Sequence, residues 1–307
     1  AYLVIDALRG YVKPSTAYKA KLGLLYAIIF STVFASSLLL VMLRHISGPA
    51  SYTHDGGVIQ TEETIKFILQ GKNPYVENYV NTPMAEWGLD YKTALYHFPY
   101  LPWTFIFSTP FYLLSKTVLG WYDQRFVYLL LFALMLLMAP QLTRKPEDKL
   151  SLVAVLGLNP IMGVDVIFGQ NDSFVLFWIV LSLWLLKQIR SPWSFYLSSV
   201  TLALACASKP TAWFLAPFYF LYLLQPSSLL RFSIPPHFTK SVAVFVAVWA
   251  VLVLPFAAWN LDAMVDDIWR WSSGTADIPY QIRGWGIANF VLALGLVESR
   301  LDYFPFW

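Results

Sequence analysis

Apolar residues in this chain run in long uninterrupted segments that are separated by shorter polar ones. The first segment covers about residues 22–43, which at about 1.5 Å per residue is long enough to cross a bilayer. Lipid offers no partner to free backbone groups, so segments of this length must be helical. The further spans that this pattern predicts cover about residues 125–142, 150–163, 173–186, 193–208, 211–224 and 241–258.

The longest polar segment, residues 44–100, follows the first span directly and forms the first part of a predicted loop over residues 44–122. Its apolar residues between 58 and 70 fall near one helix face, and Gly71 and Pro74 follow, so we predict an amphipathic helix in the membrane interface. Residues 101–119 are apolar but contain Pro102 and Pro110. We therefore predict a re-entrant or interfacial helix there.

Whether an even or an odd number of spans separates two polar segments decides whether they lie on the same side of the membrane and can meet. If residues 101–119 do not cross, the basic turns at 143–149, 187–190 and 231–240 share the side of the basic N-terminal flank, as the positive-inside rule favours. Residues 44–122 and the loop 259–286 then face outward together. A full crossing would instead place Asp55 and Asp172 on opposite faces.

Composition agrees with the pattern. Of the 307 residues, 58% are hydrophobic and only 13% charged, whereas a soluble domain carries about 25% charged residues. We predict an all-α polytopic membrane protein of the plasma membrane, with residues 1–307 in one domain and 287–307 beginning another apolar element. Either end can be incomplete, so the number of spans is a minimum.

Charge and cysteine content exclude other classes. The net charge of +3 is small and scattered, so we expect no nucleic-acid partner. The single cysteine, Cys206, lies within an apolar run, which excludes a disulfide framework and a cysteine-based zinc site.

An acidic residue just past the first span is the first candidate for chemistry. Ionisable groups at membrane depth cost about 2.5–3.5 kcal/mol on insertion scales, so those that persist usually have a function. Asp55 precedes two glycines, Gly56 and Gly57, and we predict that it is a functional acid. The alternatives are an interfacial acid or a turn former. His54 can orient Asp55, or it can be an ordinary exposed interfacial histidine.

Several motifs occur in a fixed order. After the acid and the amphipathic helix come "GKNPY" at 71–75, "YLPW" at 100–103, "GQND" at 169–172 and "SKPTAWFLAP" at 208–217. In this order they resemble the polyprenyl-phosphate-sugar-dependent GT-C glycosyltransferases, especially the bacterial mannosyl- and arabinosyltransferase-like branches. The resemblance covers roughly residues 22–286. The chain is shorter than such enzymes usually are and shows no soluble C-terminal domain.

The resemblance implies a GT-C-like helical bundle and an inverting transfer from a polyprenyl-phosphate sugar donor to an extracytoplasmic acceptor. Asp55 would be the general base. Asp172 would be a second catalytic carboxylate, with Gln170 and Asn171 beside it in a substrate-binding cluster. A helix N-cap formed by Asp172 or Ser173 is an equal alternative, and the two roles can coexist.

Two cations are candidates for the leaving phosphate. Lys209 lies at a proline between two apolar segments, where it either binds phosphate or extends to the headgroups. Arg283 lies among glycines that let the backbone approach a ligand, although it can equally be an interfacial residue. Arg270 is a weaker candidate.

Aromatic residues are candidates for stacking on sugar rings. We place Tyr100 and Trp285 in the substrate site. The others are equally explained as membrane-interface anchors, and they are Tyr75, Trp259, Trp269 and Trp271.

The remaining predictions concern cofactors and partners. His97 can ligate a metal with Asp55, but the four histidines show no ligand spacing, so no cofactor is predicted and a divalent ion stays open. Membrane lipids and the lipid-linked donor are the expected partners. A transporter is disfavoured because the acids cluster at one face without two matching halves. An accessory or scaffold subunit of a larger membrane complex remains the alternative.

Overall fold

The computed structural model describes residues 2–7, 11–48, 53–86, 92–189, 191, 193–224, 235–284 and 286–306, apart from the side chain of Leu3. Every regular element in these ranges is helical, which confirms the predicted all-α fold. The main helices in chain order are α1 (Tyr2–Ala7), α2 (Pro14–Ile46), α3 (Gly56–Leu69), α4 (Trp103–Leu119), α5 (Arg125–Leu142), α6 (Pro146–Gly157), α7 (Pro160–Phe168), α8 (Asp172–Gln188), α9 (Trp193–Cys206), α10 (Pro210–Leu224), α11 (Pro236–Trp259), α12 (Leu261–Val265), α13 (Trp271–Ser273) and α14 (Ile287–Ala293).

Some of these helices include tighter or wider turns. A π-helical turn, Phe30–Phe34, interrupts α2, and another, Asp266–Arg270, joins α12 to α13. Helix α10 begins as a 3-10 helix over Pro210–Leu215. Short 3-10 turns also occur at Pro83–Glu86 and Lys92–Leu95.

Three described helices, α2, α5 and α11, are long and apolar enough to cross a membrane. A fourth span results if α6 and α7, which meet at 48°, are counted together. The chain is therefore a polytopic membrane protein. The shorter apolar helix α9 packs against both α8 and α11 and completes the bundle.

One end of the bundle gathers the basic turns. The ammonium of Lys149 lies 6.0 Å from the ring of Tyr18 near the start of α2, and Lys187 donates to the carbonyl of Leu142 at 3.0 Å. His237, at the start of α11, stacks on Phe195 of α9 with ring centroids 4.0 Å apart. We call this the Lys149 end.

The other end gathers the candidate site residues, and we call it the Asp55 end. The amide of Asp55 donates to the carbonyl of Phe168 at the end of α7. Asp172, three residues beyond Gly169, pairs with Lys209 at 2.8 Å. Helices α2, α5, the α6–α7 pair and α8 thus run alternately between the two ends.

Helix α4 departs from this alternation, because both of its ends are bound to the Asp55 end. Before it, the amides of Leu101 and Trp103 donate to the carbonyls of Ser208 and Ala207. After it, Arg125 donates to the carbonyl of Thr53 at 2.8 Å. The helix is 17 residues long and ends at Gly120, whose φ of 78° is readily adopted by glycine. It does not run from one end of the bundle to the other.

Helix α3 occupies the predicted amphipathic segment, but the structure differs from an interfacial helix. Nearly all of its residues are buried, including Glu62 and Glu63, which are each 7% exposed. Arg44 at the end of α2 binds the Glu62 carboxylate with both terminal nitrogens, at 2.7 and 3.0 Å. The polar face of α3 therefore contacts protein rather than solvent.

The predicted span over 150–163 also differs, because α6 ends at Gly157 and α7 begins at Pro160. The side chain of Asn159 caps α7 by accepting from the amides of Ile161 and Met162 at 3.0 and 3.4 Å. Proline at the first helical position needs no amide partner, so the pair Asn159-Pro160 starts a new helix.

Candidate functional site

A cavity of about 720 Å³ opens at the Asp55 end and brings together most of the candidate residues, and we call it the central cavity. Its polar lining includes Asp55, Tyr100, Gln170, Asn171, Asp172, Lys209 and Arg283. These residues come from segments up to 228 positions apart. The geometric condition for a common site, that Asp55 and Asp172 line one pocket beside a positive charge, is met.

Asp55 is positioned by its own helix. It lies at the N-cap of α3 with φ −78° and ψ 154°, and its Oδ1 accepts from the amide of Gly57 at 2.8 Å. Within the described residues, Oδ2 has no hydrogen-bond donor. Burial raises the pKa of the Asp55 carboxyl, and the Gly57 amide, Arg283 and Lys209 oppose that rise. The carboxyl is thus a stronger base than a solvated aspartate, with one oxygen free to accept a proton.

Gly57 allows a close approach between Asp55 and Tyr100. A Cβ atom at this position would lie 2.8 Å from the Tyr100 hydroxyl and 3.2 Å from the Asp55 Oδ1. Burial raises the pKa of Tyr100 well above its usual value, and the charge of Asp55 adds to the effect. Tyr100 therefore stays protonated and can act as a hydrogen-bond donor beside Asp55.

Asp172 and Lys209 form an ion pair on the wall of the cavity. The Lys209 ammonium donates to Asp172 Oδ1 at 2.8 Å, with the two side chains 23% and 38% exposed. Asp172 belongs to the first turn of α8, and the residue before that helix, Asn171, makes no side-chain cap. An N-cap by Asp172 or Ser173, the alternative from sequence, is therefore wrong.

Asn171 and Gln170 complete this wall. Asn171 is 2% exposed, and its Nδ2 has no hydrogen-bond partner within the described residues. Gln170 follows Gly169, whose φ is 86° and where a Cβ atom would overlap Val58 and Arg125. Glycine is required at this position, and the tight turn directs the next residues into the cavity.

Arg283 is an exposed cation of the lining. It has no hydrogen bond or ion pair to any residue that the structure describes. Burial raises the pKa of both Asp55 and Tyr280, and the charge of Arg283 opposes that rise. Together with Lys209 it gives the cavity two cations beside two carboxylates.

A buried charge network lies behind Asp55. Arg125 is fully buried and binds Asp123 through Nε and Nη2, each at 2.8 Å, and Arg44 binds Asp123 and Glu62. Burial opposes the charged form of Asp123, but the hydrogen bonds from Arg125, together with nearby Arg44 and His45, hold its pKa below the usual range. This network fixes the carbonyl of Thr53, two residues before Asp55.

His54 lies behind the cavity and is not among its lining residues. It is 3% exposed, so the interpretation as an exposed interfacial histidine is wrong. Its Nδ1 lies 3.1 Å from the carbonyl of Asp55, and burial, with Arg44, lowers the pKa of the ring to about 4. A neutral imidazole therefore supports the backbone of Asp55.

The remaining candidates divide between the cavity and other places. Trp269 and Trp271 line it, whereas Tyr75 and Trp259 do not, and Trp285 lies outside the described residues. Arg270 pairs with Asp262 at 2.7 Å away from the lining. His97 contacts Asp267 at 3.0 Å rather than Asp55, so the metal pair suggested from sequence is not formed.

Several lining residues were not found from the sequence. Gln60 and Gln281 are buried and line the cavity, and Trp213, Phe214 and Phe218 line it from α10 while 37%, 66% and 68% exposed. The last three lie in an apolar segment, where their pattern is that of any membrane helix. Their exposure beside a polar cavity distinguishes them only once the fold is known.

Residues 66–225, just over half of the chain, match the protein family described as "Alpha-(1->6)-mannopyranosyltransferase, N-terminal domain". No curated protein and no solved structure matches the chain. The match includes Tyr100, Gln170, Asn171, Asp172 and Lys209 of the cavity. The chain therefore belongs to the alpha-(1→6)-mannopyranosyltransferase family, and it is a membrane glycosyltransferase of the GT-C type that its motifs resemble.

Proposed function

We propose that the central cavity transfers a mannosyl group, with inversion, from a polyprenyl-phosphate donor to an acceptor hydroxyl on the extracytoplasmic side. The supporting observation is that Asp55, with a raised pKa and a free Oδ2, shares one cavity with Lys209 and Arg283. A base and a phosphate-binding pair are the two features that this reaction needs.

Asp55 is the general base. As the acceptor oxygen forms its bond to the anomeric carbon, its proton moves to Asp55 Oδ2. The bond between the anomeric carbon and the phosphate oxygen breaks, and the polyprenyl phosphate leaves with the electron pair. Lys209 and Arg283 stabilise the charge that develops on this phosphate. Asp172 holds Lys209 at 2.8 Å and so orients the ammonium.

Exposed aromatic residues support a lipid-linked donor. Trp213, Phe214 and Phe218 belong to an apolar helix and reach the cavity, so that an isoprenoid chain can lie along α10 while its phosphate contacts Lys209. Lys209 immediately precedes Pro210, where this helix begins. A water-soluble nucleotide donor would not need such an apolar approach.

The distribution of basic turns supports an extracytoplasmic site. Lys149 and Lys187 lie at the end of the bundle opposite the cavity. By the positive-inside rule that end faces the cytosol. The central cavity then opens to the outer face, where lipid-linked sugars are used.

Transfer by the purified protein in lipid nanodiscs, with synthetic polyprenyl-phosphate mannose and a mannoside acceptor, tests the base. Asp55→Asn is expected to lower kcat about 10²–10⁴-fold. Asparagine is as good an N-cap as aspartate and avoids the cost of a buried charge, so the Tm at pH 7 should not fall. Asp277→Asn, which changes an exposed acid of the loop 259–286, is the matched control.

Two results would overturn the proposal. Asp55→Asn protein that keeps wild-type turnover would remove Asp55 from the chemistry. Wild-type protein that binds the donor without transferring it would favour the accessory role. The anomeric configuration of the product, determined by NMR, tests inversion independently.

A further inference from the structure

A second polar cluster lies away from the lining of the central cavity. His97 precedes α4 and is 5% exposed, and Asp266 and Asp267 begin the π-helical turn that joins α12 to α13. His97 Nδ1 lies 3.0 Å from Asp267 Oδ1 and 3.5 Å from Asp266 Oδ2. One ligand atom from each of the three side chains lies within 4.8 Å of the other two.

The hydrogen bonds around His97 determine its tautomer. Nε2 lies 3.0 Å from the carbonyl oxygen of Ile278, which can only accept, so Nε2 carries a proton. Nδ1 is then the ring nitrogen that faces the two carboxylates. Asp267 Oδ2 already accepts from the amide of Phe98 at 2.9 Å, which leaves Oδ1 directed at Nδ1. His97 Nδ1, Asp267 Oδ1 and Asp266 Oδ2 therefore converge, and the space among them suits either a shared proton or a metal ion.

A metal ion fits this arrangement. Histidine ligands in proteins usually donate their second ring nitrogen to a carbonyl or carboxylate, as His97 does to Ile278. Two ligand atoms that each lie about 2.0–2.1 Å from one ion, and that bind it at right angles, are about 3 Å apart. This separation is close to the 3.0 Å between His97 Nδ1 and Asp267 Oδ1. One imidazole and two carboxylates suit Mn²⁺ or Zn²⁺ better than Ca²⁺, because Ca²⁺ prefers ligands that are all oxygen atoms.

We propose that His97, Asp266 and Asp267 bind a divalent transition-metal ion of the Mn²⁺ or Zn²⁺ class. The site is separate from the sugar-transfer site, because none of the three residues lines the central cavity. The other oxygen of Asp266 faces Arg270 at 3.6 Å, so Asp266 contributes Oδ2 alone. The ion would join the segment before α4 to the segment that carries Trp269 and Trp271.

Mn²⁺ binding to the chelator-treated full chain in nanodiscs tests this site. Loss of the free Mn²⁺ signal in electron paramagnetic resonance should show one saturable site, and Zn²⁺ should compete for it. Asp266→Asn should weaken binding at least about 10-fold, a typical effect of disturbing a metal site. Asp266 is 32% exposed, so this variant should still fold. His97→Gln and Asp267→Asn should weaken binding further.

The control variant Asp277→Asn changes an acid in the same loop, 259–286, as Asp266 and Asp267, and it should bind Mn²⁺ as the wild type does. A Tm increase with Mn²⁺ in the wild type that is lost in Asp266→Asn would give independent support. Absence of saturable Mn²⁺ or Zn²⁺ binding, or equal binding by Asp266→Asn, would overturn the proposal and assign the space to a shared proton. Neither readout depends on sugar transfer.

Discussion

At the scale of single residues, Asp55 combines the structural role of a helix N-cap with the proposed role of a general base. Its Oδ1 caps α3, whereas its Oδ2 has no donor within the described residues, and the residue lines the cavity. The cap fixes the carboxylate without side-chain flexibility, because the bond from Gly57 leaves few orientations. A helix N-cap and a general base are therefore compatible in one aspartate, provided that the two oxygens are used separately.

The pH dependence of transfer follows from this environment. Burial raises the pKa of Asp55, and the base must be ionised to accept a proton, so kcat should fall on acidification at a higher pH than a solvated aspartate would give. Arg283→Gln removes a charge that lowers this pKa, so the fall of kcat on the acidic side of the pH profile, its acid limb, should move to higher pH. Asp172→Asn removes a charge that raises the pKa, so the limb should move lower.

The opposite signs make this prediction specific. A pH series of kcat in nanodiscs, with Tm followed at each pH, separates titration of Asp55 from unfolding. Shifts in the same direction for both variants would contradict the assignment of the limb to Asp55. Lys72→Gln, a change in an exposed charge on the loop after α3, should leave the limb where it is.

Gly57→Ala tests the close approach of Tyr100 and Asp55. The added methyl group would lie 2.8 Å from the Tyr100 hydroxyl, so the ring must move and kcat/KM should fall about 10²-fold, as small misplacements at a reacting centre do. Gly163→Ala is the matched control, since a Cβ atom there would lie an ordinary 3.7 Å from the side chain of Val33. That variant should keep full activity.

The polar residues of the site were largely predictable, and the apolar ones were not. Asp55, Asp172 and Lys209 stand out because a charge beside an apolar span is costly. Gln60 is indistinguishable from a surface glutamine until its bonds to the carbonyls of Ala94 and His97 are known. Trp213 likewise matches the pattern of any membrane-interface tryptophan.

At the scale of elements, α3 shows why a hydrophobic pattern cannot distinguish a lipid interface from a protein interior. The pattern predicts the helix but not its surroundings. Glu62 is neutralised by Arg44, 18 residues earlier, and its Oε1 also accepts from the amide of Gln124, 62 residues later. These partners lie in α2 and in the segment just before α5, and nothing in the sequence pattern indicates that they are close to Glu62.

The buried pair Arg44–Glu62 should behave differently from an exposed one. Arg44→Met leaves the charge of Glu62 buried with one partner fewer and should cost about 3–5 kcal/mol of unfolding free energy. The double variant Arg44→Met/Glu62→Met should cost less than the sum of the two single changes. Lys72→Met, which breaks the exposed pair with Glu77, should cost less than about 1 kcal/mol.

Unfolding titrations in mixed micelles of detergent and SDS measure these differences. Both variants replace the cation of an ion pair by methionine, and the two pairs differ in burial, so the comparison tests the effect of burial. Equal costs for Arg44→Met and Lys72→Met would show that the network does not stabilise the fold.

At the scale of the whole molecule, the arrangement of α4 decides whether the site can exist. The segment before it is bound to Ser208 and the segment after it to Thr53, which both lie at the Asp55 end. If α4 crossed the membrane, Asp55 and Asp172 would be separated by the bilayer. The prolines in this segment allowed the prediction that it does not cross the membrane. The contacts that hold both of its ends at the Asp55 end link residues more than 70 positions apart.

Labelling of single cysteines in intact cells tests this topology, and Cys206, the one cysteine of the chain, is buried and can be replaced by serine. With a membrane-impermeant maleimide, Asp277→Cys and Lys116→Cys should both react from outside, because in the proposed orientation the loop 259–286 and the end of α4 share the outer face. Lys145→Cys should react only after permeabilisation. Exclusively internal labelling of Lys116→Cys would mean that α4 crosses, and labelling of Lys145→Cys from outside would turn the cavity toward the cytosol.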